Sequence, residues 1–265
     1  MPIRPITSAQ NATVKQARAL KLKKERQRTG LFVAEGIKTV EEAVKSGAQV
    51  ETILLEEGLL QQLPWIEDYA KAGEVCLVPE GIVDGVSDTR SPQGIVAVVR
   101  RPEPALWESP EALRGNLLVL DEVQDPGNLG TLIRTADAAG CSGVLLSQGC
   151  VEPSHPKAVR ASMGSFFHLP AVQVEDLVQA LCRLKNQGYF VLAGDLLGSD
   201  FYARPTNPAK KALIVGNEAH GIRQEVLDAA DARYKLPILG RAESLNAAMA
   251  AGIMLYDLVR EARQI

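Results

Sequence analysis

Residues 121–140 read DEVQDPGNLGTLIRTADAAG and follow directly on the apolar run LLVL at 117–120. The run predicts a short buried strand, Pro126-Gly127 predicts a turn, and 129–139 carries apolar residues at helical spacing. Strand, tight turn and helix in that order are the repeating unit of a parallel sheet covered on both faces. In such sheets ligands bind beyond the carboxyl ends of the strands, where backbone N–H groups converge. Asn128 is placed to cap the helix, and Arg134 lies about two turns further on.

Two later segments have the same character. LIVGNEAHGI (213–222) runs from a strand into Gly216-Asn217-Glu218, with Gly221 three residues on. LPILGRAESLNAAMAAGIMLYDLV (236–259) runs from a short strand through a loop into a helix read over 245–262. Ser244 is a natural helix cap, and Asn246 falls in the first turn near free backbone N–H groups. The alanines and Gly252 make that helix small-faced, which suits close packing against ligand loops, a second subunit or an ordinary core.

Outward from these segments, strands are expected at 144–147, 168–172, 190–193, 212–216 and 234–236, and helices at 156–163, 174–186 and 223–230. Residues 100–110, RRPEPALWESP, carry three prolines and no period, and read as a linker. Before it, 31–34, 50–55, 75–78 and 95–99 read as strands, with helices at 13–27, 37–45 and 59–71. The chain therefore divides into a small α/β/α unit at 1–102, a linker at 103–112 and a larger α/β unit at 113–265.

Charge is unevenly placed. The first 30 residues hold Arg4, Lys15, Arg18, Lys21, Lys23, Lys24, Arg26 and Arg28 against one acid, Glu25, whereas the remainder holds 21 basic and 31 acidic residues. A basic arm on an acidic body points to a polyanion, with a solvated helix face as the plain alternative. Cysteines at 76, 141, 150 and 182 are too scattered for a thiolate metal site, and the three histidines do not cluster. They read as reduced thiols of a cytoplasmic protein, and no apolar run is long enough to span a bilayer. No G-x-G-x-x-G follows a strand and no G-x-x-x-x-G-K-[ST] occurs, which sets aside dinucleotide-binding Rossmann and Walker-type readings.

In order and wording, D-P-x-N-x-G-x-x-x-R-T-A, G-x-E-x-x-G and L-P followed by S-L-N resemble the three motifs of the SpoU/TrmH-type RNA ribose 2'-O-methyltransferases of the SPOUT superfamily. HPKAVRASMGSFFHLP (155–170) resembles that family's R-A-S-x-G segment. FVAEGIKTVEEA (32–43) and SDTRSPQGIVAVV (87–99) resemble its N-terminal substrate-binding domain. The resemblance implies a C-terminal α/β domain with a deep trefoil knot, an exception to the usual absence of knots. It implies S-adenosylmethionine held by Ala193, Gly194, Gly216, Asn217, Glu218, Gly221, Leu236, Ile238, Leu239, Ser244, Leu245 and Asn246. Asn128, Arg134, Glu218, Ser244 and Asn246 match its catalytic positions, and the family works as homodimers without a metal.

The implied reaction is attack of a ribose 2'-oxygen on a sulfonium methyl group. A guanidinium holds its proton strongly, so Arg134 is read as a phosphate clamp and charge stabiliser rather than a base. The proton then leaves through phosphate, water, Glu218 or Ser244. RNA contacts are expected from Lys15, Arg18, Lys21, Lys23, Lys24, Arg26 and Arg28, and from Arg134 and Arg160. Ribosomal RNA is the expected substrate. A tRNA methyltransferase and a non-catalytic RNA-binding or ribosome-assembly factor are the alternatives.

Overall fold

In the computed structural model, residues 3–102, 113–207 and 209–263 are described. Two compact units emerge, Met1–Glu103 with Ser154–Phe167, and Pro104–Pro153 with His168–Ile265. The helix expected at 156–163 thus belongs to the first unit, although its sequence neighbours belong to the second. The linker read at 103–112 lies outside the described residues.

The first unit is built on a five-stranded sheet. β1 (Arg4–Pro5), β4 (Val75–Val78) and β3 (Val50–Glu56) run parallel, and β5 (Ile95–Arg100) and β2 (Leu31–Glu35) complete the order β1-β4-β3-β5-β2 with antiparallel pairs. One face buries Val33, Leu54, Val96 and Val98 against Val14, Ala17 and Leu20. Val14 and Ala17 lie on α1 (Ala12–Ala19), whose Asn11 cap accepts the Thr13 N–H. Phe32 meets Phe166 edge-on, ring centroids 5.2 Å apart, and stacks on Phe167 at 6.3 Å. These two rings follow the short helix at Pro156–Ala161, which packs on β2 and so draws the inserted segment into this core.

The single helix expected at 13–27 is two helices, α1 and α2 (Lys23–Thr29), broken at an extended Leu22 (φ −84°, ψ 127°). Leu20 is buried and Leu22 exposed, so one uninterrupted helix does not match the packing. α3 (Ile37–Lys45) has the expected bounds. The helix expected at 59–71 is a 3-10 turn at Glu57–Gln62 and a short α4 (Trp65–Tyr69), because Leu63 precedes Pro64 and is pushed out of the helical region.

The second unit contains a six-stranded, wholly parallel sheet. Its strands are β6 (Leu117–Leu120), β7 (Gly143–Leu146), β8 (Ala171–Gln173), β9 (Tyr189–Asp200), β10 (Lys210–Val215) and β11 (Ala232–Lys235), in the order β11-β9-β10-β6-β7-β8. Helix α5 is Pro126–Ala138, the inserted Pro156–Ala161 is α6, and α7 (Leu177–Asn186), α8 (Gln224–Ala229) and α9 (Ala247–Arg263) follow. α5 packs on α9, and α7 on α8. β6 is buried throughout, as its unbroken apolar run requires. From β6 the chain steps out through β7 and β8, then returns to the other side, leaving β10 beside β6. That reversal is the sheet's topological switch point.

β9 runs seven residues past the expected end at 193. Its second half pairs with β11 across a register shift between Arg233 and Tyr234, where Gly198 lies too close to the Arg233 backbone for any side chain. Leu196 and Leu197 in that half are exposed, so no alternation marks it as strand.

Candidate active site at the switch point

The site forms where the loops after β6 and β10 meet. Asp121 N–H donates to the Val215 carbonyl at 2.9 Å, carrying the sheet one residue past β6. Beyond β10, Asn217 and Gly221 exchange two backbone bonds of 2.9 and 3.0 Å, folding a tight turn that holds Glu218 at its bend. Gly221 closes the turn with φ +72°, a conformation that suits glycine. Gly216 has no room for a Cβ, because one would strike the Gly221–Ile222 backbone. Its smallness therefore serves the turn itself.

Two ties join this turn to the β6 loop. Asn217 Nδ2 donates to the Glu122 carbonyl at 2.8 Å, and Glu122 is held in the left-handed region at φ 57°. Asp121 is fully buried, and its carboxylate accepts the Arg223 backbone N–H at 2.9 Å and the guanidinium at 2.8 and 2.9 Å. This fork satisfies a buried charge that would otherwise be costly. The hydrogen bond that Arg223 donates to the Asp121 carboxylate is the main reason that the Arg223 pKa is raised. Neither Asp121 nor Arg223 was singled out as a site residue from sequence. Asp121 as the polar residue ending an apolar strand was the available signal; its partner 102 residues away had none.

Glu218 reaches back across the junction. Its carboxylate accepts Asn128 Nδ2 at 2.9 Å and lies 3.4 Å from both the Gln124 and Asp125 backbone nitrogens. Asn246 Nδ2 donates to Asn128 Oδ1 at 3.0 Å. Asn128, Glu218 and Asn246 thus form one connected chain of hydrogen bonds. Two local expectations change. Asp125, not Asn128, caps α5, because its Oδ1 accepts the Asn128 N–H at 2.8 Å. Asn246, not Ser244, caps α9, because its Oδ1 accepts the N–H groups of Ala248 and Met249. Both asparagine side chains therefore serve the junction, and Ser244 and Leu245 lie exposed ahead of the helix.

Ala193 and Gly194 lie on β9 beside β10, at the same sheet edge. Residues 236–245 run from β11 to α9, and among the described residues they donate no backbone–backbone hydrogen bond. Leu239 is 96% exposed and Leu245 is 39% exposed, while Leu236 is buried. Free N–H groups beside exposed apolar side chains match a flat heteroaromatic ring with polar edges, so this loop with Gly194 and the Gly216–Glu218 turn fits an adenosine-bearing cofactor. Among the described residues no group of three His, Cys, Asp or Glu is disposed to hold a metal ion.

Arg134 does not join this cluster. Six residues beyond Asn128, it points about 120° away around α5. It is exposed, and its side chain has no hydrogen bond or ion pair to any described residue.

In the first unit the basic residues divide. Lys15, Arg18, Lys23 and Lys24 are exposed. Arg28 is exposed but bonds Glu25 at 2.7 Å. Lys21 Nζ donates to the Ser87 carbonyl at 2.6 Å. Arg26, expected to contact RNA, is instead 4% exposed and donates to the Leu20 and Lys21 carbonyls at 2.7 Å, bracing the corner between α1 and α2. Arg160 lies 3.4 Å from the buried Glu35 carboxylate.

The sequence matches the SpoU rRNA Methylase family over residues 115–256 and the MRM3-like substrate binding domain over residues 11–97. It is 38% identical to the 23S rRNA (guanosine(2553)-2'-O)-methyltransferase RlmP of Bacillus subtilis, over 97% of this chain and 99% of that protein. The crystal structure of an AdoMet-bound rRNA methyltransferase from Sinorhizobium meliloti superposes with TM-score 0.85 at 35% identity, over 99% of this chain and 98% of that one. The SpoU methyltransferase AviRb from Streptomyces viridochromogenes, in complex with AdoMet, superposes with TM-score 0.83 at 29% identity, over 95% of this chain and 98% of that one. With the family match covering more than half of the chain and full-length similarity at this level, the chain belongs to the SpoU rRNA methylase family.

Proposed function

We propose that this protein methylates a ribose 2'-hydroxyl of ribosomal RNA with S-adenosylmethionine as the donor. The observation that carries this reading is the Glu218–Asn128–Asn246 chain at the switch point, beside a loop with free backbone N–H groups. When bound, the cofactor supplies an electrophilic methyl group; the chain's own residues orient it and receive the RNA. The 194, 216–218 and 236–246 segments hold the cofactor. Glu218 and Asn128 fix the two loops against each other, so that the pocket is formed before the cofactor arrives. Arg134, whose side chain has no hydrogen bond or ion pair among the described residues, clamps an RNA phosphate and stabilises charge developing on the 2'-oxygen.

A homodimer and a C-terminal knot belong to the same reading. α9 exposes Met249, Ile253 and Tyr256 at helical spacing, an apolar stripe suited to a second copy. Arg134, turned away from its own chain's cluster, then serves the partner's site. The knot is supported by the position of β10 between β9 and β6, and by the return of α9 onto α5. The first unit, matched to a substrate-binding domain, grips the RNA, and the protein acts in the cytoplasm, where ribosomal RNA is found.

The test is methyl transfer from labelled S-adenosylmethionine to deproteinised ribosomal RNA, with ribose methylation mapped by mass spectrometry and bulk tRNA as the comparator. Ribose-methylated ribosomal RNA is the expected product. Labelling of tRNA alone would reassign the substrate, and cofactor binding without transfer to either would point to the non-catalytic alternative.

A further inference from the structure

Residues 87–93, SDTRSPQ, connect the 3-10 turn Val83–Gly85 to β5 in the first unit, and they are tied down more firmly than an ordinary loop. The Glu35 carboxylate at the end of β2 is 4% exposed and spends both oxygens on this loop. Oε1 accepts the Thr89 hydroxyl at 2.6 Å and Oε2 accepts the Asp88 N–H at 3.1 Å. Ser87 Oγ accepts the Thr89 N–H at 3.1 Å, and the Ser87 carbonyl accepts Lys21 Nζ. At the far end Gln93 Oε1 accepts the Ile37 N–H at 2.8 Å, clasping the loop to the start of α3.

A buried carboxylate is an expensive anchor, and what it holds contributes little to the core. Asp88, Arg90, Ser91 and Gln93 are all exposed. Arg90 has no hydrogen bond or ion pair with any described residue. Cations border the loop. Arg160 lies against Glu35, Lys21 reaches Ser87, and the Arg18 guanidinium covers Gly85 so closely that a Cβ there would strike it. Lys21 and Arg160 are engaged with protein atoms and fix the loop's shape, whereas Arg90 is presented outward from a backbone that is already ordered. An ordered loop loses little entropy on binding, and a planar guanidinium suits phosphate oxygens.

We propose that the loop 87–93 is an RNA-gripping element of the first unit, beside the exposed lysines of its basic helices, with Arg90 contacting a phosphate of the RNA and Glu35 acting as its positioning residue. This rests on the ribosomal RNA reading above. The full-length protein is titrated with deproteinised ribosomal RNA over a range of salt concentrations, and wild-type methyl transfer is measured in parallel. Arg90→Ala is expected to weaken binding roughly tenfold, as for loss of one charged hydrogen-bonded contact. It should also reduce the log–log salt slope by about 0.7 to 0.9. Glu35→Gln is expected to weaken binding while leaving the slope near its wild-type value, because Arg90 keeps its charge and loses only its placement. Cofactor affinity should be unchanged in both. Wild-type affinity and slope in Arg90→Ala, with wild-type methyl transfer intact, would overturn the loop assignment and leave the enzymatic reading standing. Absence of both RNA binding and methyl transfer in the wild type would overturn both.

Discussion

Asn246 Nδ2 donates to Asn128 Oδ1 at 3.0 Å, joining two residues 118 positions apart in the chain. Each asparagine has a second task. Asn246 Oδ1 caps α9, and Asn128 Nδ2 donates to Glu218. The start of α9, the start of α5 and the turn after β10 are therefore positioned by one set of side chains, so a change in any of them is felt at all three.

Glu218→Ala removes the acceptor that gathers Asn128 Nδ2 and the two backbone nitrogens of the β6 loop. Because Glu218 is exposed, the fold should lose only about 1 kcal/mol. The pocket should loosen more, with calorimetry showing cofactor binding weakened roughly tenfold. Glu218→Gln, which keeps one carbonyl oxygen for Asn128, should recover part of the loss. Equal affinity in the alanine variant and the wild type would show that the turn holds its place without this carboxylate.

Arg223→Met leaves the buried Asp121 carboxylate with only its backbone partner. The Arg223 side chain is 37% exposed, so the cost should be about 2–3 kcal/mol, below that of a fully buried pair. Chemical denaturation measures it. If the pair acts on the site by placing the Glu218 turn, the effects of Arg223→Lys and Glu218→Ala on cofactor affinity should fall short of additive in the double variant. Strict additivity would confine Arg223 to a stabilising role.

Arg134→Ala should leave cofactor affinity and stability nearly unchanged, since the side chain is exposed and makes no hydrogen bond or ion pair with a described residue. Methyl transfer should fall by roughly a hundredfold or more, as for loss of a charge-stabilising donor. Arg134→Lys should restore little, because a point charge does not replace the guanidinium fork. Co-expression offers a sharper measurement. If Arg134 serves the partner's site, Arg134→Ala chains paired with Glu218→Ala chains should contain one intact site per mixed dimer, giving about a quarter of wild-type turnover from random pairing when cofactor is held too dilute to fill the Glu218→Ala sites. Failure to complement would place Arg134 in the site of its own chain.

Within the basic helices, Lys15, Lys23 and Lys24 should behave unlike Arg26. Neutralising the three exposed lysines should weaken RNA binding and lower the salt slope by about two units, without changing the thermal midpoint. Arg26→Ala should instead destabilise the first unit by about 1–3 kcal/mol, because the Leu20 and Lys21 carbonyls lose their donor. An unchanged slope in the triple variant would make this surface a solvated face only.

The sequence by itself determined whatever depends on near neighbours. β6, α3 and β4 have the expected bounds because unbroken apolar runs or helical spacing define them locally. The motif order was enough to mark Asn128, Glu218 and Asn246 as candidate site residues, but not to say that they touch. Tertiary structure decided the rest. Arg26 and Lys24 look alike in a basic run, and only packing at the α1–α2 corner turns one inward. Asn128 and Ser244 looked like helix caps because cap chemistry is local, whereas Asp125 and Asn246 hold those places once the loops meet. The second half of β9 carries exposed leucines, so only pairing with β11 reveals it as strand. Residues Ser154–Phe167 join the first unit because Phe166 and Phe167 find Phe32 there. Asp121 and Arg223 pair because β6 and β10 are neighbours in the sheet, a consequence of strand order that no spacing along the chain encodes.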